Sequence, residues 1–151
     1  MDWMMELFSN RCLWCPFSAW FVAQALKIPI TAIVTHRIDF RRFWESGGMP
    51  SSHTAMVVSL TIMVGATMGL SSPLLAMCCV FASIVMYDAA GVRRETGRQG
   101  AVLNKILSDA IFEGRPISDR ELKEIVGHTP FEVFIGFIVG LLVAVAWLLL
   151  A

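Results

Sequence analysis

The run Gly47-Gly48-Met49-Pro50-Ser51-Ser52-His53-Thr54, followed without a single charge by Ala55 to Leu70, sets the reading of the chain. Sixteen apolar or small residues behind a polar start read as a helix that crosses a bilayer. The start itself reads as an anion cradle. Two glycines let the backbone turn sharply, Pro50 suits a first helical position, and Ser51 or Ser52 can cap the helix. Unpaired N–H groups and the helix dipole then face one point, which favours phosphate. His53 falls in the first turn, at the rim of an apolar span, where a titratable side chain is costly unless it has a task. A capped helix start with one interfacial histidine explains the same eight residues without any ligand.

The composition makes this an integral membrane protein. Of 151 residues, 56% are hydrophobic and 16% charged, with a mean hydropathy of +0.67, far from a soluble norm. Pro73–Met86 and Val133–Leu150 are two more charge-free segments. A fourth apolar region, about Cys12–Val34, is interrupted by Pro16, Gln24, Lys27 and Pro29. It is expected to span as a helix to about Lys27 and then become irregular or re-entrant. The opening Met1-Asp2-Trp3 shows no basic leader, so this first span is expected to remain in the mature protein. The expected fold is all-α: a polytopic membrane helix bundle of about four spanning helices plus short interfacial helices, in a single integral membrane domain over residues 1–151.

Net charge is zero and no basic stripe with interleaved aromatics occurs, so no nucleic-acid partner is expected. The placement of charge is more informative. Eleven of the twelve Lys and Arg lie in Lys27–Arg42 and Arg93–Lys123, which four spans put on one side of the membrane. The positive-inside rule makes that side cytoplasmic, with both chain ends opposite, in a cell membrane. Cys12-x-x-Cys15 and Cys78-Cys79 lie in apolar helix and are expected to pack rather than bind metal or form a redox dithiol. Thr35 to Trp44 mixes basic and aromatic residues as interface anchors do, with His36 among them. Gly65-x-x-x-Gly69 and Gly136-x-x-x-Gly140 have the spacing of close helix approaches. Gly69 to Pro73 is a tight turn, so the second and third spans form a hairpin whose polar end carries His53 and Asp88.

Past Asp88 come Arg93 and Arg94, candidate phosphate clamps, although Asp88 could equally pair with Arg93 or Lys27. Ala101–Phe112 has the apolar spacing of an amphipathic interfacial helix, and Ser118 with Glu121 caps a short helix that ends at Gly127. Gly127-His128-Thr129-Pro130-Phe131-Glu132 then opens the last span. Two readings compete there. Thr129, Pro130 and Glu132 form a capping box, while the four-residue step from His128 to Glu132 suits a carboxylate that orients an imidazole. Two histidines on one membrane face, each at a helix start, suit a nucleophile and a general acid working across one phosphate.

Pro50-Ser51-Ser52-His53, followed by His128 and an acid four residues on, resembles the type 2 phosphatidic acid phosphatase superfamily, which includes vanadium-dependent haloperoxidases. Gly47–Thr54, Tyr87–Arg94 and Gly127–Val133 look especially like its divergent, short bacterial and plastid branch, and the likeness runs from about Ala23 to Gly140. The resemblance implies His128 as nucleophile, Glu132 as its orienting acid and His53 as general acid. It implies a phosphate held by Ser51 and Ser52, by Lys27, and by Arg93, Arg94 and Lys123, with Gly47, Gly48, Pro50 and Asp88 in support. No cofactor and no metal is expected; the partners are the lipid bilayer and a phosphorylated lipid substrate. The chain departs from the superfamily in four places. Ser52 stands for a glycine, Glu132 for an aspartate, Glu121-Leu122 for a Ser-Arg pair, and no Arg-Pro follows Lys27. Two alternatives stay open: a non-catalytic protein that binds or carries an anionic head group, and a divalent metal held among Asp88, Glu132 and the histidines.

Overall fold

The computed structural model describes residues 2–44, 48–91, 99–100 and 130–150. These form helices α1 (Asp2–Ser9), α2 (Arg11–Thr35), α3 (Ser52–Met68), α4 (Pro73–Ala90) and α5 (Pro130–Leu149), with a 3₁₀ turn at Phe40–Trp44. Arg93, Arg94, Lys123, His128 and Gly47 lie outside the described residues, as do the two expected helices between residues 101 and 126.

Helices α2, α4 and α5 are long and apolar enough to cross a membrane, and α3 is a shorter apolar helix of 17 residues. The expected bundle of about four spans is what forms, with α3 in contact with α2, α4 and α5. Its large side chains point outward: Phe81, Ile84, Phe134 and Leu142 are all exposed, as a hydrocarbon solvent allows. Its core is made of small ones. Ala19, Ala23, Ala55 and Val139 form one buried cluster, and Cys15, Met63 and Ala144 a second. Small residues let backbones approach, which is how helices gain packing energy in lipid.

Two expectations change, and a third gains detail. The first span does not stop at Lys27: α2 runs unbroken for 25 residues through Pro16 and Pro29. Neighbouring helices and local adjustments re-satisfy the backbone groups that a proline frees in a spanning helix. The Thr35–Trp44 segment also packs against α2. After the exposed His36, with φ of 54°, the chain folds back, and the Phe43 ring lies 6.2 Å from Trp20 and 5.6 Å from Phe21. The two glycine pairs also separate. Gly69 is the C-cap of α3, with φ of 84°, so it ends the helix instead of packing on another. Gly136 and Gly140 do face α3 closely: a methyl group on Gly140 would stand 3.0 Å from Ala55 Cα, and one on Gly136 would collide with the Ser51 carbonyl.

Cys12 and Cys15 pack against neighbouring helices, as their apolar setting suggests, whereas Cys78 is half-buried and Cys79 exposed. Cys15 is fully buried in the second cluster, Cys12 Sγ lies 3.3 Å from Thr67 Oγ1, and all four thiols are free.

Candidate functional site

Contacts along the helices fix their register, and the register decides which residues share an end. Going along α2, Cys12 meets Thr67, Cys15 shares a cluster with Met63, and Ala19 and Ala23 share one with Ala55. Each turn forward on α2 is a turn backward on α3, so the next turn sets Lys27 level with Ser51. Helices α3 and α4 are likewise antiparallel: the Thr61 hydroxyl donates to the Cys78 carbonyl at 3.4 Å. Following both helices from that bond brings Asp88 level with Ser51 and Ser52. Helix α5 runs parallel to α3. The Ser51 N–H donates to the Glu132 carbonyl at 3.1 Å, Gly136 faces Ser51 and Thr54, and Gly140 faces Ala55. Lys27, Ser51, Ser52, His53, Asp88 and the first turn of α5 therefore sit at one end of the bundle.

The local sequence explains the geometry of the cradle. Gly48 has φ of 89°, a conformation that favours glycine, and turns the chain into the buried Pro50. Pro50 is not the first helical residue. It lies before the cap, Ser51, whose side chain accepts from the Thr54 N–H at 3.4 Å, and the helix begins at Ser52. Two of the N–H groups expected to face an anion are thus committed, Ser51 to α5 and Thr54 to the cap. The hydroxyls are placed differently. Ser51 Oγ also accepts from the Thr54 hydroxyl at 3.0 Å, which leaves the Ser51 proton to donate elsewhere.

Burial sharpens the contrast with the apolar surroundings. Lys27 is 1% exposed, Ser51 and Thr54 0%, and Ser52 1%, while His53, Asp88 and Glu132 are half-buried. A lysine facing lipid at the centre of a spanning helix costs about 2.5–3.5 kcal/mol; Lys27 instead lies inside the bundle, 1% exposed. Lys27, His53, Asp88 and Glu132 each engage in a further interaction. Among the described residues, no three His, Cys, Asp or Glu side chains are grouped so as to hold a metal ion. The metal alternative would therefore need ligands from outside the described residues.

Sequence reasoning missed one member of this end. Gln24 reads as a mere interruption of an apolar run, yet it is 5% exposed and its Oε1 is buried with no hydrogen-bond partner among the described residues. Its spacing of three from Lys27 is the signal that would have found it, since that spacing puts both on one face of α2. The other end of the bundle has a cavity of about 560 Å³, lined by Arg11, Ser18, Val22, Val143 and Trp147 among others, and none of the candidate residues borders it.

Comparison with known proteins bears on what this end does. The family described as "Divergent PAP2 family" matches residues 8–143. The chain is 40% identical over 148 residues to a protein of Bacillus subtilis (strain 168) named "Uncharacterized membrane protein YuiD", covering 91% of this chain and 94% of that one. No solved structure matches. The match takes in α2, α3, α4 and most of α5, with the glycine-proline-serine cradle and Glu132 inside it. This chain belongs to the divergent PAP2 family.

Proposed function

We propose that the chain is a membrane-embedded phosphatase that hydrolyses a lipid phosphate monoester through a phosphohistidine, without a metal. The observation that carries the reading is the common level of Lys27, Ser51, Ser52, His53 and the first turn of α5, a cation, hydroxyls and an imidazole buried or half-buried at one end of an apolar bundle. Lys27, Ser51 and Ser52, together with Arg93, Arg94 and Lys123, hold the phosphate oxygens. His128, two residues before α5, attacks phosphorus; a P–N bond forms as the P–O bond to the alcohol breaks, and His53 gives its proton to the leaving oxygen. Water then attacks phosphorus, its proton returns to His53, and the P–N bond breaks to release phosphate. Glu132 orients His128 and stabilises its positive charge in the adduct. The distribution of Lys and Arg supports a cytoplasm-facing site, which suits lipid phosphates of that leaflet such as phosphatidylglycerol phosphate or phosphatidic acid.

The test uses purified full-length protein in lipid nanodiscs and measures phosphate release across a panel of lipid phosphates. Release by the wild type, with loss of both turnover and an acid-labile phosphoryl adduct in His128→Ala, supports the reading. Tight lipid-phosphate binding without any release overturns it in favour of a head-group binding protein.

A further inference from the structure

We infer that the cavity between α2 and α5, at the end of the bundle opposite the candidate phosphate site, holds one acyl chain of an anionic phospholipid whose phosphate is bound by Arg11. Neither the motifs nor the proposed reaction gives this cavity a role.

The walls say what it takes. Its volume of about 560 Å³ falls within the roughly 300–1,000 Å³ of small-molecule sites. Ser18, Val143 and Trp147 are half-buried along it, whereas Arg11, Val22 and Ala146 are exposed, so it is a groove on the outside of the bundle. The polar atoms of its floor are already satisfied. The Ser18 hydroxyl donates to the Cys15 carbonyl at 2.7 Å and accepts from the Trp147 indole N–H at 2.9 Å. The floor therefore asks no hydrogen bond of an occupant, and apolar contact fills it.

Reach and charge make that occupant a lipid. From Arg11 to Val22 the helix rises about 16 Å, against a hydrocarbon core of about 30 Å, so the groove runs through one leaflet from its head-group level to its middle. A single acyl chain has that reach. At the mouth stands Arg11, the one Lys or Arg outside the two basic segments, and no carboxylate among the described residues pairs with it. It begins α2, whose cap residue Asn10 makes no side-chain hydrogen bond to the first turn, so the positive end of the helix dipole adds to the guanidinium. A lipid phosphate at head-group level answers both, and a guanidinium takes its oxygens in a bidentate grip. A lipid without net negative charge fills the groove equally well but gains less at Arg11.

Full-length protein in neutral detergent micelles is titrated with dioleoyl phosphatidylglycerol or dioleoyl phosphatidylcholine, and native mass spectrometry counts the lipid that each chain retains. The wild type should retain one phosphatidylglycerol in preference to phosphatidylcholine. Arg11→Gln should weaken that preference about fivefold, the effect of one basic residue near an anionic lipid surface, with Tm unchanged because Arg11 is exposed. Ala146→Phe should fill the groove and reduce retention of both lipids. Equal retention of both lipids by the wild type and by both folded variants overturns the inference. So does a loss of retention in Lys27→Met but not in Arg11→Gln, which assigns the lipid to the opposite end. A lipid-free dimer that Ala146→Phe separates overturns it in favour of a second copy of the chain covering the groove.

Discussion

Where α2 begins, Cys12 and Cys15 meet Thr67, Met63 and Ala144, and Trp147 of α5 donates its indole N–H to Ser18 Oγ at 2.9 Å. Eight residues before α2 ends, the same helices bring together Lys27, Ser51, Ser52 and Thr54, all buried, beside His53, Asp88 and Glu132. The first end holds the bundle by shape and by self-contained hydrogen bonds. The second buries a cation, hydroxyls and an amide at a cost to stability, the asymmetry that the proposed phosphate site requires.

Substitutions can break or sharpen that contrast. The largest effect is expected at His53. If it protonates an alkoxide, His53→Ala slows hydrolysis of a lipid phosphate by about 10²–10⁴-fold and spares more of the activity on a nitrophenyl phosphate, whose leaving group needs no proton. Equal losses on both substrates would remove the acid role. Next comes Met63→Ala at the opposite end, where a fully buried side chain is deleted from the second cluster. Unfolding in mixed micelles should show a loss of about 2–5 kcal/mol with kcat retained; a matching fall in kcat at a temperature where the protein is folded would mean that the two ends are not separable.

The glycines allow a finer test. Gly136→Ala forces a methyl group onto the Ser51 carbonyl and within 3.1 Å of Ser51 Cβ and Thr54 Cβ. It should cost about 1–3 kcal/mol by overpacking and lower turnover as well, because the cradle must move. Gly65→Ala meets only side-chain atoms, Leu75 at 3.4 Å and Leu70 at 3.8 Å, each an ordinary contact, and should preserve both stability and turnover. The smallest effect is expected for Trp147→Phe, which deletes one hydrogen bond to Ser18, about 0.5–1.5 kcal/mol of stability, and leaves phosphate release unchanged.

Much of this layout was legible in the residues. Charge-free runs located α3, α4 and α5, because few other structures tolerate so many consecutive apolar residues. The hairpin turn was legible from Gly69 and Pro73, and the membership of Lys27, His53, Asp88 and Glu132 at one end followed from span count alone. Pro16 and Pro29 misled, since a proline marks a break in water but is accommodated in a packed spanning helix. The pair Gly65 and Gly69 misled because identical spacing serves a close approach at Gly136 and Gly140 and a helix stop at Gly69. Gln24 was passed over for a different reason: its spacing of three from Lys27 places both on one face of α2, but an amide in an apolar run carries no sign of burial until its neighbours are known. His128, Arg93, Arg94 and Lys123 stand on sequence reasoning, being outside the described residues.

The unbroken α2 has one more consequence. Its 25 residues span about 37 Å, whereas the 17 residues of α3 span about 25 Å, against a hydrocarbon core of about 30 Å. A helix too long for the bilayer tilts, and a helix too short thins it, so this pair strains the lipid in opposite senses. Lys27 and Ser51 ride on those two helices, which makes the depth of the cradle a function of bilayer thickness. Host membranes of short or long acyl chains would then raise or sink the same polar end relative to the lipid head groups.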